Sequence, residues 1–371
     1  IPWECYLKYQ DKALLEEHYP AMKHYMQYLL DQCINKETGI LDQGESWWGN
    51  LGDWLGPENN RNDNTLLWEA YFIYDLNIMQ QVAGILGHKE DNAFYAKLHS
   101  DRIKFFNKTY IEPETGCTRF ACKESPIDTQ TSYVLPLAFG IIPDSMRSKV
   151  AACLQNTIAR KNKTDEGITC PPYSLMTGFI GTAWICKALS DCGYSDTAYR
   201  LLQQTSYPSW LYSVEQGATT IWERLNSYTH TDGFGKNNRM NSFNHYSFGA
   251  VCSWMYNYSL GIQPDAGNPG FQHFFLQPTP DPTGRMTYAH GYYDSTYGRI
   301  ESGWEITSQS VRYTFSIPAN TSATVRVPAA NFKEVKMNNA LLQEHTDFKK
   351  ENRYITLELE SGIYTMEISG K

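Results

Sequence analysis

The sequence predicts two architectures in series, a helical toroid of antiparallel helix pairs followed by an antiparallel β-sandwich. Two contrasts carry this reading. Through about Leu260, long segments repeat apolar residues every three or four positions, joined alternately by short and long connections. From about Gln263, proline and glycine cluster, and short alternating runs bounded by turn residues replace the helical period. No repeat of roughly 20 to 50 residues is visible, which argues against a solenoid. The boundary is therefore set at 262/263, with residues 1–262 as the helical barrel and residues 263–371 as the sandwich. A chain of 371 residues is long enough for two cores.

Ile1 to Tyr9 reads as a short helix. Asp11 caps the next, Lys12 to Cys33, where Leu14, Leu15, Met22, Tyr25, Met26 and Leu29 recur on one face. Residues 35–63 form a long polar loop carrying Glu45, Trp47, Trp48, Asp53 and Trp54; loops of this length are usually functional or disordered, and these charged and aromatic groups favour function. A third helix runs from Asn64 to Leu86 and ends on Gly87; a fourth runs from Asp91 to Asn107. A connector with hairpin character, Tyr110 to Cys122, leads to helices from Pro126 to Phe139 and from Pro143 to Arg160. Residues 173–192, 195–204 and 241–260 supply the rest, giving about nine helices. That is fewer than six complete hairpins, so the (α/α)6 toroid reads as incomplete. Strands are expected at Phe271–Leu276, Gly291–Ser295, Gly298–Ile306, Ser310–Ile317, Ala323–Val327, Glu334–Met337, Tyr354–Leu359 and Gly362–Ile368. Their expected role is to brace the barrel.

Composition narrows the partners. A net charge of −8 without any Lys/Arg block argues against nucleic acid or an anionic membrane as the main partner. No apolar run is long enough to span a bilayer. The 26 Tyr and 10 Trp suit sugar contact, though a large helical core also consumes rings. The nine cysteines form no CxxC and have no His at metal-ligand spacing, so neither a metal nor another cofactor is expected. Their odd number leaves at least one thiol free, and the compartment stays open.

Chemistry concentrates in Gly217-Ala218-Thr219-Thr220-Ile221-Trp222-Glu223-Arg224, where two Thr and one Ile favour extended backbone. Downstream comes Met240-Asn241-Ser242-Phe243-Asn244-His245-Tyr246-Ser247-Phe248-Gly249. A carboxylate, a histidine and several flat rings close in sequence are what a sugar pocket needs. The plain alternatives stand beside this. Glu223 could pair with Arg224 on a surface strand, His245 could be a core histidine bonded to backbone, and Asp53 could cap a helix rather than accept from two sugar hydroxyls.

Four stretches in order, GDWLGP (52–57), TGFIGT (177–182), TTIWER (219–224) and MNSFNHYSFGA (240–250), together resemble the catalytic domain of the α-L-rhamnosidases of glycoside hydrolase family 78. The resemblance runs from the opening IPWE to about Leu260 and continues towards the C-terminus. It implies an (α/α)6 barrel with a C-terminal β-sandwich and inverting removal of terminal rhamnose from glycosides or polysaccharides. Glu223 falls on the family's general base and His245 on a rhamnose contact; Trp54, Trp47 and Trp48 are candidate walls, Trp222 a substrate-binding candidate that limits solvent access to Glu223, and Asp53 a candidate hydroxyl acceptor. The family's acid lies in a segment resembling Asp-Cys-Pro-x-Arg-Glu-Arg-x-Gly-Trp-x-Gly-Asp, which precedes the IPWE-like helix. Nothing here matches it; Gly44-Glu45-Ser46-Trp47-Trp48-Gly49 is nearest in composition only. The expectation is that these residues are the C-terminal part of a longer enzyme, inactive without the remainder. A non-catalytic carbohydrate-binding or structural toroid is the main alternative. A terpene cyclase lacks its Asp-rich helix here, and a polyanion lyase sits badly with the negative charge.

Overall fold

A computed structural model describes residues 1–42, 44, 51–123, 125–235, 240–329, 332–343, 347–351 and 353–370. The chain divides into two compact units, Tyr19–Val251 and Ile1–His18 together with Cys252–Lys371. Eleven α-helices occur among the described residues, against about nine expected.

The helical unit is built on Asn64–Leu86 and Lys89–Tyr110, packed side by side after a tight turn. Asp63 caps the first by accepting the Thr65 N–H at 3.0 Å, and Gly87 ends it in the left-handed conformation, φ 80°. Between the pair lies a buried ion pair. Arg102 reaches Glu69 through Nε at 2.8 Å and through a second, shorter bond, while its guanidinium also donates to the Gly39 carbonyl at 3.0 Å. Gln130–Ala138 comes next, capped by Thr129, and packs on Asp144–Ala159 and on Ile185–Asp191. Aromatic rings fill the space between these helices. Tyr74 stacks on Phe139 at 4.5 Å, Trp184 meets Phe139 edge-on at 5.0 Å, and the Trp184 indole donates to the Tyr71 hydroxyl at 3.1 Å.

Two expectations are corrected here. The helix expected over 173–192 is two, Phe179–Thr182 and Ile185–Asp191, because the amides of its first turn are drawn to a buried carboxylate. The helix expected over 241–260 exists only from Ser247, as a 3-10 turn, a short α-helix Val251–Trp254 and a π turn; the preceding residues pair with residues 221–223 instead. Residues 219–224 belong to no strand. A further helix, Trp210–Glu215, follows Ser209, whose hydroxyl accepts the Tyr212 N–H at 3.1 Å.

In the other unit, two sheets bury alternate residues, as Ala323, Val325 and Val327 do between the less buried Ser322, Thr324 and Arg326. Among the described residues, one sheet has six strands in the order Ala340–Leu341, Glu334–Met337, Gly362–Ser369, Ser310–Ile317, Gly298–Ile306, Tyr288–Ser295. The other has five, in the order Lys349–Glu351, Tyr354–Leu359, Ser322–Pro328, His273–Leu276, Ile262–Pro264. All pairs are antiparallel except His273–Leu276 with Ser322–Pro328, which the sequence did not foresee. Their long connection passes through the first sheet, which makes a parallel return possible. The opening helix belongs to this unit. Gly270 N–H donates to the Leu7 carbonyl at 2.9 Å, and Lys8 Nζ lies 5.6 Å from the centre of the Phe271 ring.

Candidate active site

Residues 221–223 and 242–245 run side by side. Glu223 N–H donates to the Ser242 carbonyl at 2.8 Å, His245 N–H to the Ile221 carbonyl at 2.8 Å, and the Thr220 hydroxyl to the Phe243 carbonyl. Ser242 N–H returns a bond to Oε2 of Glu223 at 2.8 Å. Glu223 is 7 % exposed. One of its oxygens is thereby fixed, and the other has no hydrogen-bond donor among the described residues. Nor does an ion pair join it to Arg224 among those residues. Arg224 turns to the loop and donates through Nε to the Met240 carbonyl at 3.1 Å. Trp222 is buried, its ring meeting Phe243 edge-on at 5.2 Å. The helix Trp210–Glu215 braces both segments. Ser213 Oγ donates to the Leu225 carbonyl and Trp210 Nε1 to the Phe248 carbonyl, each at 2.8 Å.

His245 is half-buried, its ring stacked 4.8 Å from Phe179 on one side and 5.4 Å from the exposed Tyr246. Ser247 N–H donates to Nδ1 at 3.3 Å, so Nδ1 is the acceptor and Nε2 carries the proton of the neutral ring. That proton is a donor available to a bound hydroxyl.

Phe179 reaches this position through Asp53. The carboxylate accepts the N–H groups of Gly178 at 2.7 Å, Ile180 at 3.1 Å and Gly181 at 3.0 Å, and also the Thr131 hydroxyl. Phe179 N–H donates to the Trp54 carbonyl at 3.0 Å. The backbones approach so closely that a Cβ on Gly178 would fall 2.3 Å from the carbonyl oxygens of Asp53 and Trp54. Asp53 is 1 % exposed and its four lone-pair positions are filled, so its geometry is that of an internal anchor rather than of an acceptor open to sugar. Burial pushes its carboxyl up, and the four donors oppose this. Trp54 is half-buried in the same turn. Trp48, Trp47 and Glu45 lie outside the described residues.

Two acidic groups escaped sequence reasoning. Glu58, 1 % exposed, accepts the Gln130 N–H at 2.6 Å and a bond from Arg61 at 3.1 Å; burial pushes its carboxyl up to about 7. Asp75 lines a cavity of about 350 Å³ with Tyr25, Trp68, Tyr71 and Ile180, and burial pushes it up to about 6. A loop Glu among Asn residues and an Asp within an apolar helix carry no local mark of burial. A second cavity, of about 260 Å³, lies beside Arg224 and is lined also by Leu55, Tyr207, Asn226 and Phe248. Among the described residues no group of three or more His, Cys, Asp or Glu is placed to hold a metal ion, and no helix is long and apolar enough to cross a membrane.

Comparison with known proteins covers nearly the whole chain. Residues 1–259 match the family model of the bacterial alpha-L-rhamnosidase 6 hairpin glycosidase domain, and residues 261–341 that of the bacterial alpha-L-rhamnosidase C-terminal domain. A curated alpha-L-rhamnosidase of Formosa agariphila is 32% identical over 377 residues, covering 99% of this chain and 37% of the relative. One of Streptomyces avermitilis is 33% identical over 329 residues, covering 89% of this chain and 29% of the relative. The chain thus spans about a third of the length of the curated relatives it matches. Among solved structures, the S. avermitilis alpha-L-rhamnosidase complexed with L-rhamnose aligns with a TM-score of 0.83 at 30% identity, over 99% of this chain and 32% of that one. The alpha-L-rhamnosidase of Dictyoglumus thermophilum aligns with a TM-score of 0.84 at 28% identity, over 100% of this chain and 39% of that one.

Proposed function

The chain belongs to the bacterial α-L-rhamnosidases, with the six-hairpin glycosidase domain and the C-terminal domain of that family, and from this we propose that it works in inverting hydrolysis of terminal α-L-rhamnose from glycosides or polysaccharides. The observation that carries the proposal is the Glu223 carboxylate, largely buried, anchored at Oε2 by Ser242 and without a donor at Oε1 among the described residues, on the same paired segments as His245. In this reading Oε1 takes a proton from a water, and the oxygen of that water attacks the anomeric carbon from the face opposite the leaving group. The leaving oxygen needs a proton from an acid whose carboxyl stands about 6.5 to 9.5 Å from the base. We place that acid in polypeptide outside these 371 residues, as the motif resemblance implies. Nε2–H of His245 donates to a hydroxyl of the sugar, and the flanking Phe179 and Tyr246 rings hold the imidazole plane. Trp54 supplies an apolar wall, which favours a C6 methyl over a C6 hydroxyl, and Trp222 limits solvent access to Glu223. Asp53 contributes by holding Phe179 rather than by touching sugar.

The test is Glu223→Gln in the complete polypeptide with p-nitrophenyl α-L-rhamnoside. General-base catalysis contributes about 10²–10⁴-fold, so kcat is expected to fall by at least about 100-fold with binding of rhamnose retained. Unchanged turnover removes Glu223 from the role, and retained configuration in the first-formed product, read by NMR, removes the inverting mechanism.

A further inference from the structure

Of the nine cysteines, two that are 36 positions apart meet: the sulfurs of Cys117 and Cys153 lie 3.8 Å from each other. Cys117 closes a tight turn in which Gly116 N–H donates to the Glu112 carbonyl at 2.8 Å and Glu112 N–H to the Cys117 carbonyl at 2.9 Å. Cys153 stands on the helix Asp144–Ala159, one turn beyond Lys149. The turn is already docked on that helix. Lys149 Nζ donates to the carbonyls of Pro113 at 3.2 Å and Glu114 at 2.9 Å, and the Cys153 thiol to that of Thr115 at 3.6 Å. Gly116, at φ 76°, packs so tightly that an added Cβ would fall 2.9 Å from Lys149 Cγ. A disulfide needs its sulfurs about 2.0 Å apart. The sulfurs must close a gap of about 1.8 Å for the bond to form.

We propose that Cys117 and Cys153 form a reversible disulfide, made by exchange with a low-molecular-weight disulfide such as glutathione disulfide. Cys117 attacks first. Burial, then the neighbouring Cys117, push the Cys153 thiol up to about 11, which suits Cys153 to the second, resolving step. The Cys117 thiolate displaces one glutathione thiolate and leaves a mixed disulfide on Cys117. Cys153, on losing its proton, attacks the Cys117 sulfur and displaces the second glutathione thiolate. The protein gives up two protons and two electrons, and glutathione disulfide becomes two glutathione molecules. Cys117 and Cys153 are both half-buried where the turn docks on the helix, whereas Cys122 and Cys252 are exposed. The closed loop contains the helix Gln130–Ala138, whose first residues hold Glu58 and Asp53. The bond would therefore restrain the element behind the candidate active site without touching substrate, and it stands whether or not Glu223 is the base.

The full chain is equilibrated at defined ratios of glutathione disulfide to glutathione, quenched by alkylation, digested without reductant and analysed by mass spectrometry. The expected result is a cross-linked peptide joining Cys117 to Cys153, with glutathione adducts at Cys122 and Cys252. Chain-entropy arguments for this loop give a Tm higher than that of the reduced protein by roughly 5–10 °C. Cys153→Ser is expected to abolish both the cross-link and the shift, leaving an adduct on Cys117. Recovery of Cys117 and Cys153 as alkylated thiols under conditions that fully modify Cys122 and Cys252 overturns the proposal, as does pairing of Cys117 with another cysteine. The peptide map of the unmutated chain decides even if the variant fails to fold.

Discussion

Asp53→Asn separates the two roles open to that carboxylate. The substitution keeps the shape and replaces one acceptor oxygen with an NH2 donor. Oδ1 receives the N–H groups of Ile180 and Gly181, while Oδ2 receives the N–H of Gly178 and the hydroxyl of Thr131. The less costly orientation sets the NH2 where Oδ2 was, because the Thr131 hydroxyl can turn and accept. Gly178 N–H, which cannot turn, then faces a donor inside the protein. One unsatisfied buried amide costs about 1–3 kcal/mol, and the bonds that survive lose the roughly twofold strength that charge gives them. We therefore expect a loss of about 2–4 kcal/mol in stability, read as a lower urea midpoint at unchanged slope. In the complete polypeptide, at temperatures where the variant is folded, the KM for an aryl rhamnoside should rise more than kcat falls, because Phe179 and with it His245 lose their fixed position. An unchanged midpoint together with catalytic efficiency lowered by about two orders of magnitude or more would refute this reasoning and return Asp53 to the sugar.

Two other outcomes follow from the site. Glu58 is held above its ordinary value of 4.5, at about 7, so the native state binds its proton more tightly than the unfolded chain does. That contribution is complete below about pH 4.5 and lost by about pH 7, so stability should fall by up to about 3 kcal/mol across the window, and Glu58→Gln should flatten the fall in denaturant titrations. An unaltered slope in the variant assigns the pH dependence elsewhere. His245→Ala should weaken apparent rhamnoside affinity, read as a KM raised about 10-fold, with kcat nearly kept, since one hydrogen bond to a bound hydroxyl is removed; steady-state kinetics showing kcat as the main loss would place the imidazole at the reacting centre instead.

What could be read from the chain depended on how local its cause was. Asn64–Leu86 was legible because Gly87 marks its end, and Gly298–Ile306 and Ser310–Ile317 because turn residues bound an alternating run. Thr219, Thr220 and Ile221 favour extended backbone, yet no strand forms there. Their partner segment supplies only scattered backbone bonds at Ile221 and Glu223, so tertiary pairing overrode β propensity. The same pairing stopped the helix expected over 241–260 from starting before Ser247. Asp53 shows the limit most clearly. Its donors lie 78 to 128 positions away, and an Asp before Trp-Leu-Gly looks like a turn residue until those amides arrive. The motifs carried the identity of Glu223 and His245 as candidates, but the Ser242 and Ser247 amides that orient them are set by backbone path, which no spacing rule foretells.

The strand Gly362–Ser369 has a neighbour on each flank, Ser310–Ile317 on one and Glu334–Met337 on the other. Both neighbours leave the ribosome first, and each then carries a row of amides and carbonyls with nothing to bind. During translation these bare edges are exposed to the strands of other nascent chains, a hazard that persists until residue 369 is free to slot between them. A premature stop a few codons before residue 362 would therefore do more than shorten the polypeptide; it would leave a sheet split down its middle and prone to clump.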